Sequence, residues 1–159
     1  MKSVTIGFSK ARSKLSILSW IIRKVEGTEF SHVYMKLKNG KIDDLYYHAS
    51  GSRVNFMGSR IFNHKNITIE EVELDVSNKK YYSMLNFAID KVGEPYSISQ
   101  LFGILIVRLF ALFNKNINNP FGKRGYVCTE LVGEILNLDS KKINKELNSI
   151  GLKDIKKFL

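Results

Sequence analysis

Two hydrophobic periods alternate along the chain, and the switches between them mark out its elements. Residues 4–9 form a short β-prone run. Ser13 is placed to cap a helix in which Leu15, Leu18, Ile21, Ile22 and Val25 recur at helical spacing, and Gly27 ends it. Residues 31–37 and 45–49 are rich in β-formers and are separated by Lys38-Asn39-Gly40-Lys41. An Asn-Gly pair tolerates the positive φ angles of a tight hairpin turn, so these two runs predict a hairpin. Residues 54–57 and 67–74 predict two more strands. Ser77 then caps a helix to about Val92, with Tyr81, Leu85, Ala88, Ile89 and Val92 on one face. Gly93 and Pro95 stop it.

The rest of the chain reads as helical. Residues 98–113 are apolar nearly all round, and the loop 114–125 contains Pro120 and Gly122. A further helix follows from about Cys128 to Asn137, and Ser140 opens another that ends at Gly151. A block of strands followed by a block of helices indicates an α+β fold with a central antiparallel sheet, not a doubly wound one. With 159 residues and no internal repeat or linker, the chain is expected to be one domain, 1–159. A domain of this size buries roughly 70% of its unfolded surface, so it needs neither a disulfide nor a structural metal.

Charge and composition narrow the partners. The net charge is +10, and the first 25 residues carry six basic groups (Lys2, Lys10, Arg12, Lys14, Arg23, Lys24) and no acid. Such a region either meets an anionic surface or is simply a solvated face. Lys outnumbers Arg 19 to 6, and no Arg–aromatic interleaving is present, which argues against a nucleic-acid-binding protein. The Lys- and Asn-rich composition suits an AT-rich bacterial, phage or viral genome. Lys2 is followed by no apolar leader segment, and residues 101–113, which include Arg108, are too short to span a bilayer, which takes about 20. The expectation is a cytoplasmic protein without a membrane span, with virion association as the alternative. One cysteine and three histidines are too few for a zinc finger, and no cofactor is expected.

Cys128 lies in Gly-Tyr-Val-Cys-Thr-Glu-Leu-Val, where a β-prone pair enters a helix. Unpaired amides at a helix start favour a thiolate and can hold an oxyanion; a small buried hydrophobe is the plainer alternative. A nucleophilic cysteine needs a base and a group that orients it. His32 begins one strand of the predicted hairpin and His48 ends the other, so the two can be neighbours on one face, provided the register does not slip. His64, in Asn63-His64-Lys65, reads as a surface residue in a polar loop.

Ser31-His32-Val33, Tyr47-His48-Ala49 and Tyr126-Val127-Cys128-Thr129-Glu130-Leu131-Val132 together resemble the circularly permuted NlpC-type papain-like hydrolases. The YiiX-like proteins are the nearest subgroup, and the lecithin retinol acyltransferase-like enzymes are relatives. Gly7-Phe8-Ser9 and Gly93-Glu94-Pro95-Tyr96 agree with the pattern, which covers roughly residues 4–138. The resemblance implies a permuted papain-like fold with Cys128 as nucleophile, His32 as general base and His48 as the third polar residue. It implies an acyl-enzyme on the way to hydrolysis or acyl transfer, with peptide, cell-wall or lipid acyl substrates. Residues 101–113 look inserted relative to the family; they form an acyl-chain groove or a core helix. Tyr126 either lines the site or packs. The rival to an enzyme is a catalytically silent papain-like module that binds or supports.

Overall fold

A strand with apolar residues at alternate positions must be covered on that face, and a sheet of five strands organises this molecule. The structure, a computed structural model, describes residues 2–13, 16–38, 43–115, 117–121, 125–138 and 147–159. The elements run β1 (Lys2–Ala11), α1 (Ile17–Glu26), β2 (His32–Leu37), β3 (Leu45–Ser50), β4 (Arg53–Gly58), α2 (Ser59–Lys65), β5 (Asn66–Val76), α3 (Asn78–Asp90), α4 (Ile98–Ala111), α5 (Cys128–Leu138), a 3₁₀ turn (Leu147–Ser149) and α6 (Leu152–Phe158). The strands form an antiparallel sheet in the order β4-β3-β2-β1-β5, so the fold is α+β as expected. The Asn39-Gly40 turn, Leu15, Gly122 and the helix start at Ser140 lie outside the described residues.

Strand alternation divides the interior in two. On one face Val4, Ile6, Phe8, Val33, Met35, Tyr47 and Ala49 form the main core with Leu131, Val132 and Ile135 of α5. On the other, Tyr34 and Tyr46 make a smaller cluster with Phe62 of α2. α2 has no counterpart in the hydrophobic pattern. It is seven residues long, and one side chain holds it: Phe62 is fully buried, its ring 4.1 Å from Tyr46 and 4.7 Å from Tyr34. Burying a phenylalanine contributes about 2–3 kcal/mol, enough to hold one and a half turns that propensity would leave frayed. His64 is exposed, as expected, but sits on this helix rather than in a loop.

Three other boundaries differ from the sequence pattern. α1 begins after Ser16, whose side chain accepts from the Ser19 N–H, so the cap is Ser16 and not Ser13; Gly27 closes the helix at φ +59°. On α3 the buried stripe is Met84 and Ala88 with Tyr81 and Leu85 beside them, while Ile89 and Val92 are exposed. Gly151, expected to end a helix, instead stands at the start of α6, and the described residues before it, Leu147–Ser149, form a 3₁₀ turn; α6 is too short to show a period and docks through Leu152 and Ile155.

α4 is a core helix over its first half, where Leu101, Ile104 and Leu105 are buried; Leu112 and Phe113, just beyond its end, are exposed. Arg108, the charge in that apolar run, has a structural explanation. It lies 3.4 Å from the buried carboxylate of Glu26 on α1 and pairs with Asp154 on α6, tying three helices together. Gln100 on α4 donates to Glu130 on α5 across 3.0 Å. Among the described residues no helix is long and apolar enough to cross a membrane.

Gly7 lies opposite Tyr34 in the β1–β2 pairing, and the Tyr34 ring crosses over it so that the hydroxyl donates to Glu71 Oε1 on β5 at 2.8 Å. A methyl group at position 7 would overlap that ring. Gly7→Ala is therefore expected to cost about 1–3 kcal/mol in a urea titration through overpacking. Unchanged stability would mean that the Tyr34 ring moves aside freely.

Candidate functional site

The β2–β3 ladder pairs Met35 with Tyr47, Lys36 with Tyr46 and Leu37 with Leu45. Continued outward, this register puts His48 opposite Tyr34 and His32 one diagonal step beyond, on the same face. The two rings meet there. His32 Nε2 and His48 Nδ1 are 2.9 Å apart and share one hydrogen bond, with the rings inclined at 71°. Phe62 stands against the other side of His48, at 5.5 Å between centroids.

Burial sets the charge of the pair. His48 is pushed down to about 4, first by burial; the Asn55 side chain opposes the shift and Lys65 adds to it. His32 is lowered well below the ordinary range by burial and then by His48, because a second cation would face the first. At neutral pH both rings are uncharged, so one of the facing nitrogens carries the proton and the other accepts.

Cys128 begins α5, and its approach is fixed by the segment Gly93-Glu94-Pro95-Tyr96. The Tyr126 N–H donates to Pro95 O at 2.9 Å, the Ser97 N–H donates to Tyr126 O at 3.1 Å, and Tyr96 bridges Tyr126 as a parallel strand would. The same segment is held to β4, since the Val54 N–H donates to Glu94 O at 2.8 Å. α5 packs across β2 and β3. Tyr126 itself is buried packing, with its hydroxyl donating to Glu134 Oε2 at 3.3 Å.

The Cys128 thiol is buried and pushed up to about 11. Desolvation is the largest cause; the N–H groups of Val33, Thr129 and Cys128 itself oppose it. A helix start alone suggests a lowered thiol, and that expectation is corrected: three amides do not offset removal from water. Val33, which directly follows His32, shares the main core with Cys128. By alternation the His32 ring leaves β2 on the other face, with Tyr34. The thiol thus touches the strand backbone one residue from His32, and no hydrogen bond joins it to either imidazole. The structure brings His32 and His48 together and sets Cys128 against the same strand from the opposite side.

Beside Cys128, the seam between α1, α4 and α5 encloses about 10 Å³, room for one water at most. Among the described residues this seam leaves no room for an acyl chain. A wider open depression of about 600 Å³ is lined by Lys10, Arg23, Lys24 and Trp20 and holds none of the three candidate residues. Among the described residues no group of three or more His, Cys, Asp or Glu is arranged to hold a metal ion. Asn55, paired with His48 across β3 and β4, carries no mark in the sequence, and only strand register reveals it. Tyr96, noted in the sequence only within Gly93-Glu94-Pro95-Tyr96, also neighbours the site: its hydroxyl is raised by burial and by nearby Cys128. No known protein-family model matches this chain, and no curated protein matches it.

The neutral pair has a consequence for stability. Between pH 6.5 and about 4 the unfolded chain binds a proton on residue 48 that the folded chain refuses. Stability is therefore complete above pH 6.5 and falls as pH drops, by about 3 kcal/mol from this group, with His32 adding in the same direction. Urea titrations from pH 7 to 4.5 should show this decline, and it should be shallower in His48→Gln. Equal slopes in the two proteins would mean that His48 is not held neutral.

Proposed function

We propose that this protein is a thiol-dependent hydrolase or acyltransferase of the permuted NlpC papain-like kind, with Cys128 as nucleophile, His32 as base and His48 as its orienting partner. One observation carries the reading: a hydrogen-bonded imidazole pair and the buried thiol at the start of α5 lie against the same strand, β2, the thiol held by the amide of the residue after His32. Thiol and imidazole both rest neutral, so the chemistry is general-base catalysis rather than attack by a stored thiolate. As Sγ attacks the acyl carbon, its proton passes to His32. The Cys128 and Thr129 amides hold the oxyanion, and His32 returns the proton to the leaving group. Water or a second nucleophile then releases the acyl group from sulfur. The step needs the His32 ring, at the first residue of β2, to come round from the far face of the strand to within hydrogen-bond reach of Sγ, a rearrangement that substrate binding has to drive.

The closed seam beside Cys128 favours acyl groups approached from the surface, such as peptide or cell-wall amides, over long lipid chains. An anionic polymer or lipid surface would meet the depression around Lys10, Arg23 and Lys24. The proposed place of action is the cytoplasm, on sequence grounds alone. A silent papain-like module is the second reading, and it is favoured by the burial of the thiol and its raised pKa.

Incubation with p-nitrophenyl acetate and a short acyl thioester, followed by intact-mass analysis, separates the two. The expected result is an acyl adduct on Cys128 and turnover that vanishes in a folded Cys128→Ala variant. His32→Ala should lower turnover by about 10²–10⁴-fold, and His48→Ala by less. Turnover that survives Cys128→Ala would sink the mechanism. A Cys128 that takes no acyl group, and that iodoacetamide modifies equally fast with and without His32, would establish the silent module.

A further inference from the structure

The hydrogen bond between His32 and His48 can run in either direction, and the direction decides which His32 nitrogen is basic. If His48 donates from Nδ1, His32 Nε2 accepts and Nδ1 carries the proton, leaving no base beyond the pair. If His32 donates from Nε2, its Nδ1 keeps a lone pair. The environment of His48 bears on this choice. Asn55 is its direct partner in the β3–β4 ladder. Two side-chain atoms there are buried with no hydrogen-bond partner, His48 Nε2 and Asn55 Oδ1. The Asn55 amide is not free to turn, because Nδ2 donates to Arg53 O at 3.2 Å and so commits Oδ1 as the remaining acceptor. Phe62, the other neighbour of the ring, offers no acceptor, and Lys65 from the same helix is a cation.

Resting on the hydrolase reading above, we infer that Asn55 is a positioning residue: its Oδ1 takes the Nε2–H of His48, which fixes His48 Nδ1 as acceptor, His32 Nε2 as donor and His32 Nδ1 as the basic nitrogen. No other assignment satisfies both buried atoms of the Asn55–His48 pair while using the 2.9 Å contact between the rings. The Asn55 side chain also favours the charged form of His48, as a carbonyl acceptor does. The relay runs through three adjacent strands, from Asn55 on β4 through His48 on β3 to His32 on β2, and it ends at the strand that touches the thiol.

The test is long-range ¹⁵N–¹H correlation NMR of the full chain at pH 7, which reports the tautomer of each histidine. In the wild type, both His48 and His32 should be Nε2–H tautomers. Asn55→Ala should release His48 into a mixture of tautomers and reduce acyl turnover at least tenfold in kcat with KM little changed. Asn55→Asp, which keeps an acceptor oxygen, should restore the single tautomer. An Nδ1–H tautomer on His48 in the wild type overturns the inference, even if Asn55→Ala fails to fold. So does an Asn55→Ala protein with wild-type tautomers. Its failure is distinct from failure of the hydrolase reading. Unchanged tautomers in Asn55→Ala, with turnover abolished by Cys128→Ala, remove only the positioning role. The expected tautomers, with turnover that survives Cys128→Ala, remove only the enzyme.

Discussion

The pairing of β2 with β3 is the constraint on which most of the molecule depends. It extends only from Met35–Tyr47 to Leu37–Leu45, yet it fixes the parity of every residue on both strands. With that parity Val33, Met35, Tyr47 and Ala49 enter the main core, while Tyr34, Tyr46, His32 and His48 leave on the other side. A slip of one residue would expose the first set and bury the wrong second set. It would also remove the surface on which Phe62 seats α2, and with it the wall behind His48. The histidine pair is thus a by-product of the same register that makes the sheet cohere.

Polar groups inside this protein are placed where elements must be held in one arrangement. Arg108 joins Glu26 and Asp154, and Gln100 joins Glu130, at the contacts of α1, α4, α5 and α6. Apolar helix faces alone would permit sliding, whereas a buried charge without its partner costs several kcal/mol. Burial raises the Glu26 carboxyl and the Arg108 guanidinium opposes that shift, so the contact carries a real desolvation cost. These contacts set α4 and α5 relative to the sheet and so determine where the start of α5 presents Cys128.

At the candidate site two electrostatic effects oppose each other, and desolvation prevails on both partners. Helix-start amides and a strand amide surround Sγ, yet the thiol stays protonated; the imidazoles, removed from water and facing each other, stay neutral. A neutral thiol and neutral imidazoles leave no uncompensated charge buried on either face of β2.

The sequence by itself determined the class of fold and most of the elements, because period-two runs, Asn-Gly punctuation and serine caps are local signals. It also marked Cys128, His32 and His48, since the residue types that perform acyl transfer are few and this chain has little choice among them. Short elements escaped it. α2 and α6 each depend on one or two anchors that find partners only in the folded chain, and the Ser16 cap depends on where the first turn packs. Asn55 is invisible in an Asn-rich chain until β4 lies against β3. The charge state of the thiol is likewise a tertiary property: the helix start is local and lowers its pKa, while the burial that outweighs it comes from α1, α4 and β2 closing around Cys128.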